Sequence, residues 1–191
     1  MKKLIYIDAC MRDESRTHRI AVPIIEELGK KYDIETVDLT ASPYLAINKE
    51  SLQKRQNMQV ADEIVALSRR IAAADKIVIA APFWDMSFPA ALKVFFENVS
   101  LFNILFGVEG NTLVGLSKCT DVVYITTRGM DISTGDPLEQ GTPYIKALAF
   151  LWGLGNVHVV AAQNMDFGTP EEIESRIGKA IEEGLEIVRK F

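Results

Sequence analysis

Lys76–Pro82 reads KIVIAAP, a run that is apolar from Ile77 onward without polar alternation. A strand with one wet face alternates apolar and polar side chains, whereas a strand covered on both faces has no reason to. The run therefore predicts a buried strand in a parallel sheet with helices on both sides. The chain around it supplies the rest of such a sheet. Upstream, Leu4–Ile7 reads as a first strand and Asp33–Leu39 as a second, separated by Arg16–Lys31 with Ile20, Ile24, Ile25 and Leu28 at helical spacing. A polar, Pro-containing segment then loops into a helix carrying Val60, Ile64, Leu67 and Ile71 on one stripe.

Downstream, a helix starts near Pro89, followed by a strand at Asp121–Thr127, a Gly-rich loop, a helix at Tyr144–Leu154 and a strand at Val157–Ala162. Thr169, Pro170 and Glu172 mark the start of a last helix, whose Ile173, Ile177, Ile181, Leu185 and Val188 face the core. Strands joined by helical crossovers predict an α/β three-layer sandwich with a five-stranded parallel sheet. The 191 residues read as one domain, 1–191, without linker or repeat.

Composition narrows the function. The chain is 48% hydrophobic and 25% charged with a net charge of −5 and no long basic block, which argues against nucleic acid as a partner. MKKLIYIDAC is a strand rather than a secretion signal, because Asp8 interrupts the apolar stretch at once. No run approaches the ~20 apolar residues of a membrane span. Two cysteines, Cys10 and Cys119, make neither a disulfide framework nor a cluster ligand set, so a reducing cytoplasm is expected. No metal-ligand spacing is evident.

In such a sheet, ligands bind beyond the carboxyl ends of the strands. The loops there are DACMRDESRT, APFWDMSFP, TTRGMDISTGDPLEQGTP and AAQNMDFGTP. Asp38, at the end of the second strand, would suit a dinucleotide ribose, but the first loop lacks the glycines that a pyrophosphate turn needs. Asp8 and Asp38 would suit a phospho-receiver, yet the third strand ends Ala80-Ala81-Pro82 without the acceptor aspartate. A mononucleotide phosphate fits better. Ser15 and Thr17 flank the start of the first helix, whose free amides point the same way, with Arg16 or Arg12 adding charge and His18 or Arg19 nearby. Ser15 also has the plainer reading of a helix cap.

Phe83, Trp84, Asp85 and Met86 can wall a flat ring, or alternatively close the end of the core. Thr126, Thr127, Arg128, Gly129 and Met130 offer close backbone approach and a cation to the charge that a reduced flavin develops near N1 and O2. Cys10 either touches the ligand or is a buried inert thiol. Cys119 reads as structural, and His158, inside a strand, as a core or sheet-face residue.

Taken together, Ser15-Arg16-Thr17, AAPFWDMSFPAALKVFFENV (Ala80–Val99), TTRGM (Thr126–Met130) and GTPYIKALAFLWGLGNV (Gly141–Val157) resemble the FMN-dependent NADH-azoreductase and NAD(P)H:quinone oxidoreductase family nearly end to end. The resemblance implies a flavodoxin-like fold with sheet order 2-1-3-4-5. It implies bound FMN, NADH or NADPH as reductant, and a quinone, azo or nitroaromatic acceptor served by a ping-pong mechanism at flavin N5. By that resemblance Ser15 and Thr17 hold the phosphate, with Arg16 and Cys10 further candidate cofactor-binding residues of the same loop. Pro82, Phe83, Trp84, Asp85 and Met86 line the isoalloxazine, with the Asp85 amide a partner for N5. Thr127, Arg128, Gly129 and Met130 stand at its pyrimidine end. The family commonly carries Tyr-Asn where Trp84-Asp85 stands here, which leaves a backbone contact possible and removes an Asn side-chain contact. A non-catalytic flavodoxin-like electron carrier or FMN-binding partner protein is the alternative.

A homodimer is also implied. Within Leu92–Phe106, Phe95, Phe96, Val99, Phe102 and Phe106 can face the sheet, while Val94, Leu101 and Leu105 form a second apolar stripe that needs a cover. A partner subunit would supply it. The loop Arg128–Pro143, or an extension after Gly107 folding back within the chain, would do so as well.

Overall fold

The computed structural model describes residues 2–40, 44–57 and 59–191. The part of the Pro-containing segment at 41–43 lies outside the described residues. In chain order the elements are β1 (Lys2–Asp8), α1 (Arg16–Gly29), β2 (Tyr32–Asp38), α2 (Lys49–Gln56), α3 (Asp62–Ala73), β3 (Lys76–Ala80) and α4 (Ala90–Val99). They continue with β4 (Phe106–Glu109), β5 (Thr112–Gly115), β6 (Asp121–Thr127), α5 (Gly141–Trp152), β7 (Asn156–Ala162) and α6 (Pro170–Val188).

Five of these strands form one parallel sheet in the order β2-β1-β3-β6-β7, and β4 pairs with β5 in a separate antiparallel hairpin. Numbered among themselves, the five parallel strands run 2-1-3-4-5, as the resemblance implies. The order turns back between β1 and β3. Loops leaving those two strands diverge to opposite faces and open a crevice there.

β3 is buried at every residue, which is why its sequence shows no alternation. Ile5, Ile7, Ile77, Ile79, Val122 and Tyr124 pack against α3, α4 and α5. The intervening Leu4, Tyr6, Val78, Ala80, Val123 and Ile125 pack against α1 and α6. On α1, the four-residue spacing of Ile20, Ile24 and Leu28 buries all three, each stabilising the fold by about 1.5–3 kcal/mol. At the start of α6 the Thr169 side chain accepts from the Glu172 amide while Glu172 accepts from the Thr169 amide, a closed capping box.

Two stretches differ from the sequence reading. Apart from the exposed Leu52, α2 is polar, so no periodicity announces it. An Asn48–Ser51 capping box starts it, and Arg55 anchors it to the carbonyls of Glu97 and Asn98 at the end of α4. The larger correction concerns Leu92–Phe106. The helix stops at Val99, and Asn103, at φ 61°, turns the chain. Leu101 and Leu105 therefore do not continue a helical stripe but drop into the chain's own core, at 6% and 0% exposure. The chain after Gly107 returns as the hairpin, and the Leu116 amide bonds the Leu105 carbonyl at 2.9 Å. Phe102, expected to face the sheet, is exposed. Among the described residues no helix is long and apolar enough to cross a membrane.

Candidate functional site

A cleft of about 1100 Å³ opens at the carboxyl ends of the strands, lined by the loops after β1, β3, β6 and β7. Its volume slightly exceeds the roughly 300–1,000 Å³ of small-molecule sites. Ser15, Arg16, Pro82, Phe83, Trp84, Thr127 and Gly129 all line it. Met165, Asp166 and Glu174 join them without having been singled out in the sequence, although the first two belong to the loop AAQNMDFGTP.

The start of α1 leaves hydrogen-bond donors open at the cleft. Ser15 is its N-cap, with Oγ accepting from the His18 amide at 3.2 Å, and the first-turn amides of Arg16 and Thr17 lie beyond reach of any intrahelical carbonyl. Arg16 donates to the Met165 carbonyl at 2.5 Å and pairs with Asp166 at 3.3 Å, tying the first loop to the last. Arg19 is held in a two-pronged pair by Glu174. Thr17 departs from the sequence expectation. It is fully buried, and its hydroxyl lies 2.7 Å from that of Thr127, which reaches the cleft in its place.

The wall comes from a strained turn. Trp84 and Ser87 exchange backbone hydrogen bonds at 3.1 and 2.8 Å, and the two residues between them, Asp85 and Met86, take φ of 47° and 64°. This is the backbone of a two-residue turn with both central residues left-handed, for which Asn-Gly is the usual solution. The turn's own bonds use Trp84 and Ser87 and leave the Asp85 amide out. The turn is fastened on both sides, by the Phe83 amide to the Thr127 carbonyl at 3.0 Å and by the Gln140 amide to the Met86 carbonyl at 2.9 Å. Asp85 and Met86 are exposed just outside the cleft lining, as is Met130.

Gly129 sits where a side chain has no room, since a Cβ there would meet Asp166 Oδ2 at 2.0 Å. Its neighbour corrects a second expectation. The Arg128 side chain does not reach toward the cleft. It is wholly buried, donating to the Ile132 carbonyl at 3.0 Å and the Thr134 hydroxyl at 2.9 Å and facing Glu139 at 3.7 Å.

Cys10 is buried behind the loop rather than exposed in the cleft, and its thiol points to the Ala80 carbonyl. Burial, reinforced by Asp8, pushes it well above the ordinary thiol range and keeps it protonated. His18 bonds Asp8 at 2.9 Å, so the ligand atoms of Asp8, Cys10 and His18 come within 4.8 Å of one another, a grouping that residue spacing does not reveal. At the opposite end of the sheet, burial raises Cys119 to about 11. Nearby, Asp121 bonds His158, Lys76, Thr120 and Asn156. Its burial opposes ionisation, but those donors win and hold the carboxyl far below its usual range.

The family model described as flavodoxin-like fold matches residues 2–187, and the chain belongs to that family. Among curated proteins, the FMN-dependent NADH:quinone oxidoreductase of Coprothermobacter proteolyticus is 30% identical over 203 residues, and that of Clostridium perfringens 29% over 200, each covering the whole of both chains. Among solved structures, an azoreductase from Bacillus anthracis superposes with a TM-score of 0.85 at 17% identity over the whole of both chains. An FMN-dependent NADH-azoreductase from the same species, in complex with FMN, gives 0.79 at 20% over 98% of this chain and 100% of its own.

Proposed function

We propose that this chain is an FMN-dependent oxidoreductase that takes electrons from NADH or NADPH and delivers them to a quinone, azo or nitroaromatic acceptor. The observation that carries this is the convergence, in one cleft, of a capped helix N-terminus with an aromatic wall, in a chain whose full-length relatives are named FMN-dependent NADH:quinone oxidoreductases. The residues present fit the cofactor. The Ser15 hydroxyl and the Arg16 and Thr17 amides suit a phosphate. Pro82, Phe83 and Trp84 suit a flat apolar ring, and Thr127 and Gly129 line the same cleft where its polar edge would lie.

FMN, when bound, supplies two-electron acceptance from the nicotinamide and release to the second substrate. The protein's part is to bind, orient and tune. Thr17, buried, holds Thr127 in place at the cleft. Arg16 closes the first loop onto the last, and the Asp85 amide stands free of the turn that presents it. A single open face beside Trp84 would serve nicotinamide and acceptor in turn, which is the ping-pong order. We include a homodimer in this reading. Its support is now the exposed Phe102, Val108, Leu113 and Phe150 on the hairpin side of the molecule and on α5, rather than Leu101 or Leu105. Light scattering should give a mass near twice 21.3 kDa. A cytoplasmic location goes with both cysteines being free.

The test is anaerobic mixing of the FMN-loaded protein with each nicotinamide, followed at the flavin absorbance, then reoxidation with a panel of quinone, azo and nitro compounds. Bleaching followed by rapid recovery is expected. No bleaching with either nicotinamide rejects the reading, and bleaching without turnover of any small acceptor would leave an electron carrier instead.

A further inference from the structure

Beneath the cleft lies a concentration of unspent polar groups. Of the seven buried side-chain polar atoms that lack a hydrogen-bond partner among the described residues, five belong to Tyr124, Thr126, Arg128, Glu139 and Thr142. Strand alternation puts Tyr124 and Thr126 on one face of β6. Gly141 lets the group close up, since a Cβ there would stand 2.8 Å from the Tyr124 hydroxyl and 3.0 Å from Glu139 Oε1. Arg128 and Glu139 are both fully buried. A buried ion pair is a costly way to hold a loop, and apolar residues of the same volume often do it as well or better. Its placement suggests another use. Arg128 lies between Thr127 and Gly129, which both line the cleft, and its guanidinium carbon is 5.9 Å from the centre of the Phe83 ring, which lines it too.

We propose that Glu139 is a positioning residue that sets the charge beneath the ring site: it compensates Arg128, and so fixes how strongly the protein favours the reduced, negatively charged form of the cofactor. The inference rests on the FMN reading above. The two halves of Glu139 have separate tasks. Oε1 accepts from the Thr142 amide at 2.8 Å and caps the start of α5, while Oε2 faces Arg128 at 3.7 Å without a hydrogen bond. Glu139→Gln keeps an oxygen for Thr142 and removes the compensating charge. Arg128 is then left as an uncompensated cation in a medium where charge is poorly screened.

The experiment measures FMN binding to the wild-type protein first, by fluorescence quenching, and that result alone judges the FMN reading. The midpoint potentials of the wild type, E139Q and the double variant R128Q/E139Q are then compared by spectroelectrochemistry at one pH. E139Q should favour reduced over oxidised FMN by about tenfold more than the wild type, a positive shift of about 30 mV for a two-electron couple. The double variant, which strands no charge, should return to the wild-type potential or fall below it. A folded E139Q with unchanged potential overturns the proposal and leaves Glu139 as a helix cap. If E139Q does not fold, R128Q and the double variant decide: the uncompensated Glu139 carboxylate should hold R128Q at a lower potential than R128Q/E139Q, and equal potentials refute the proposal.

Discussion

Ser15 combines two functions that can be separated by substitution. Its Oγ caps α1 by accepting from the His18 amide at 3.2 Å, and the same hydroxyl can still donate its proton into the cleft. Ser15→Ala removes both. Loss of a cap costs about 1 kcal/mol. For a chain of 191 residues that lowers the melting temperature of the FMN-free protein by about 2–4 °C. Loss of a hydrogen bond to a charged group costs about 1.5–3 kcal/mol, so FMN affinity should fall roughly tenfold to a hundredfold. Ser15→Asp separates the two effects. Aspartate caps as well as serine and sits favourably at a helix N-terminus, so stability should hold. Its carboxylate would oppose a phosphate, so affinity should fall at least as far as in the alanine variant. Thermal denaturation without FMN and fluorescence titration with it read the two effects independently. If Ser15→Asp binds FMN as tightly as the wild type, the phosphate does not lie at the start of α1, and the orientation assigned to the cofactor is wrong.

Trp84→Ala, at a residue 37% exposed, should raise the KM for acceptors severalfold while changing FMN affinity much less; steady-state kinetics with two acceptors of different size check it, and an unchanged profile would make Trp84 a core closure. Asp121→Asn should cost about 2 kcal/mol at pH 7 with no effect on turnover, since Asp121 lies at the far end of the sheet. Because the folded carboxyl titrates below the unfolded value of about 3.9, its contribution is full above that pH and disappears as the pH falls through the folded pKa, so wild type and variant should converge in acid denaturation. Gly184→Ala should destabilise by up to about 2 kcal/mol net: its Cβ would meet Ile24 Cδ1 at 2.3 Å in the packed seam between α1 and α6, an overpacking cost of about 1–3 kcal/mol against about 1 kcal/mol gained in helix propensity; denaturant unfolding measures it.

The parallel sheet was readable because most of its strands stand next to stretches of helical periodicity, and KIVIAAP admits little but a strand buried on both sides. The crevice followed from the same pattern, since the residues with unusual chemistry fall immediately after strands. The hairpin β4–β5 was not readable. Its strands are four residues each, and the preceding Phe-rich stretch keeps a helical spacing past Val99, where the backbone in fact turns. Position in a motif also fails to tell where a side chain points. Thr127 and Gly129 line the cleft, yet the arginine between them turns inward because Ile132, Thr134 and Glu139 offer acceptors and a counter-charge. Glu139, in the polar run STGDPLEQ, looks like any solvated acid, and only the folded loop takes its exposure to zero. Met165 and Asp166 were missed for a related reason: what brings them to the cleft is Arg16, some 149 residues away in sequence.

The cleft is made of loops, which are usually the mobile part of a fold, so its definition has to come from cross-links between them. Thr17 bonds Thr127, Arg16 bonds Met165, Phe83 bonds Thr127 and Gln140 bonds Met86, so each of the four loops is tied to at least one other. Two of these ties bear on the least favourable backbone in the site. A methionine at φ 64° costs of order 1–3 kcal/mol, and aspartate beside it takes the same region only somewhat more readily. Left alone, such a turn would relax. Held at Phe83 by β6 and at Met86 by Gln140, it cannot relax without breaking bonds on both sides. The direction of the Asp85 amide, which the turn's own bonds leave out, is therefore fixed before any ligand arrives. On the proposed reading, in which the contact at this position is the Asp85 backbone amide, Trp84-Asp85 serves in place of Tyr-Asn provided the turn keeps its shape.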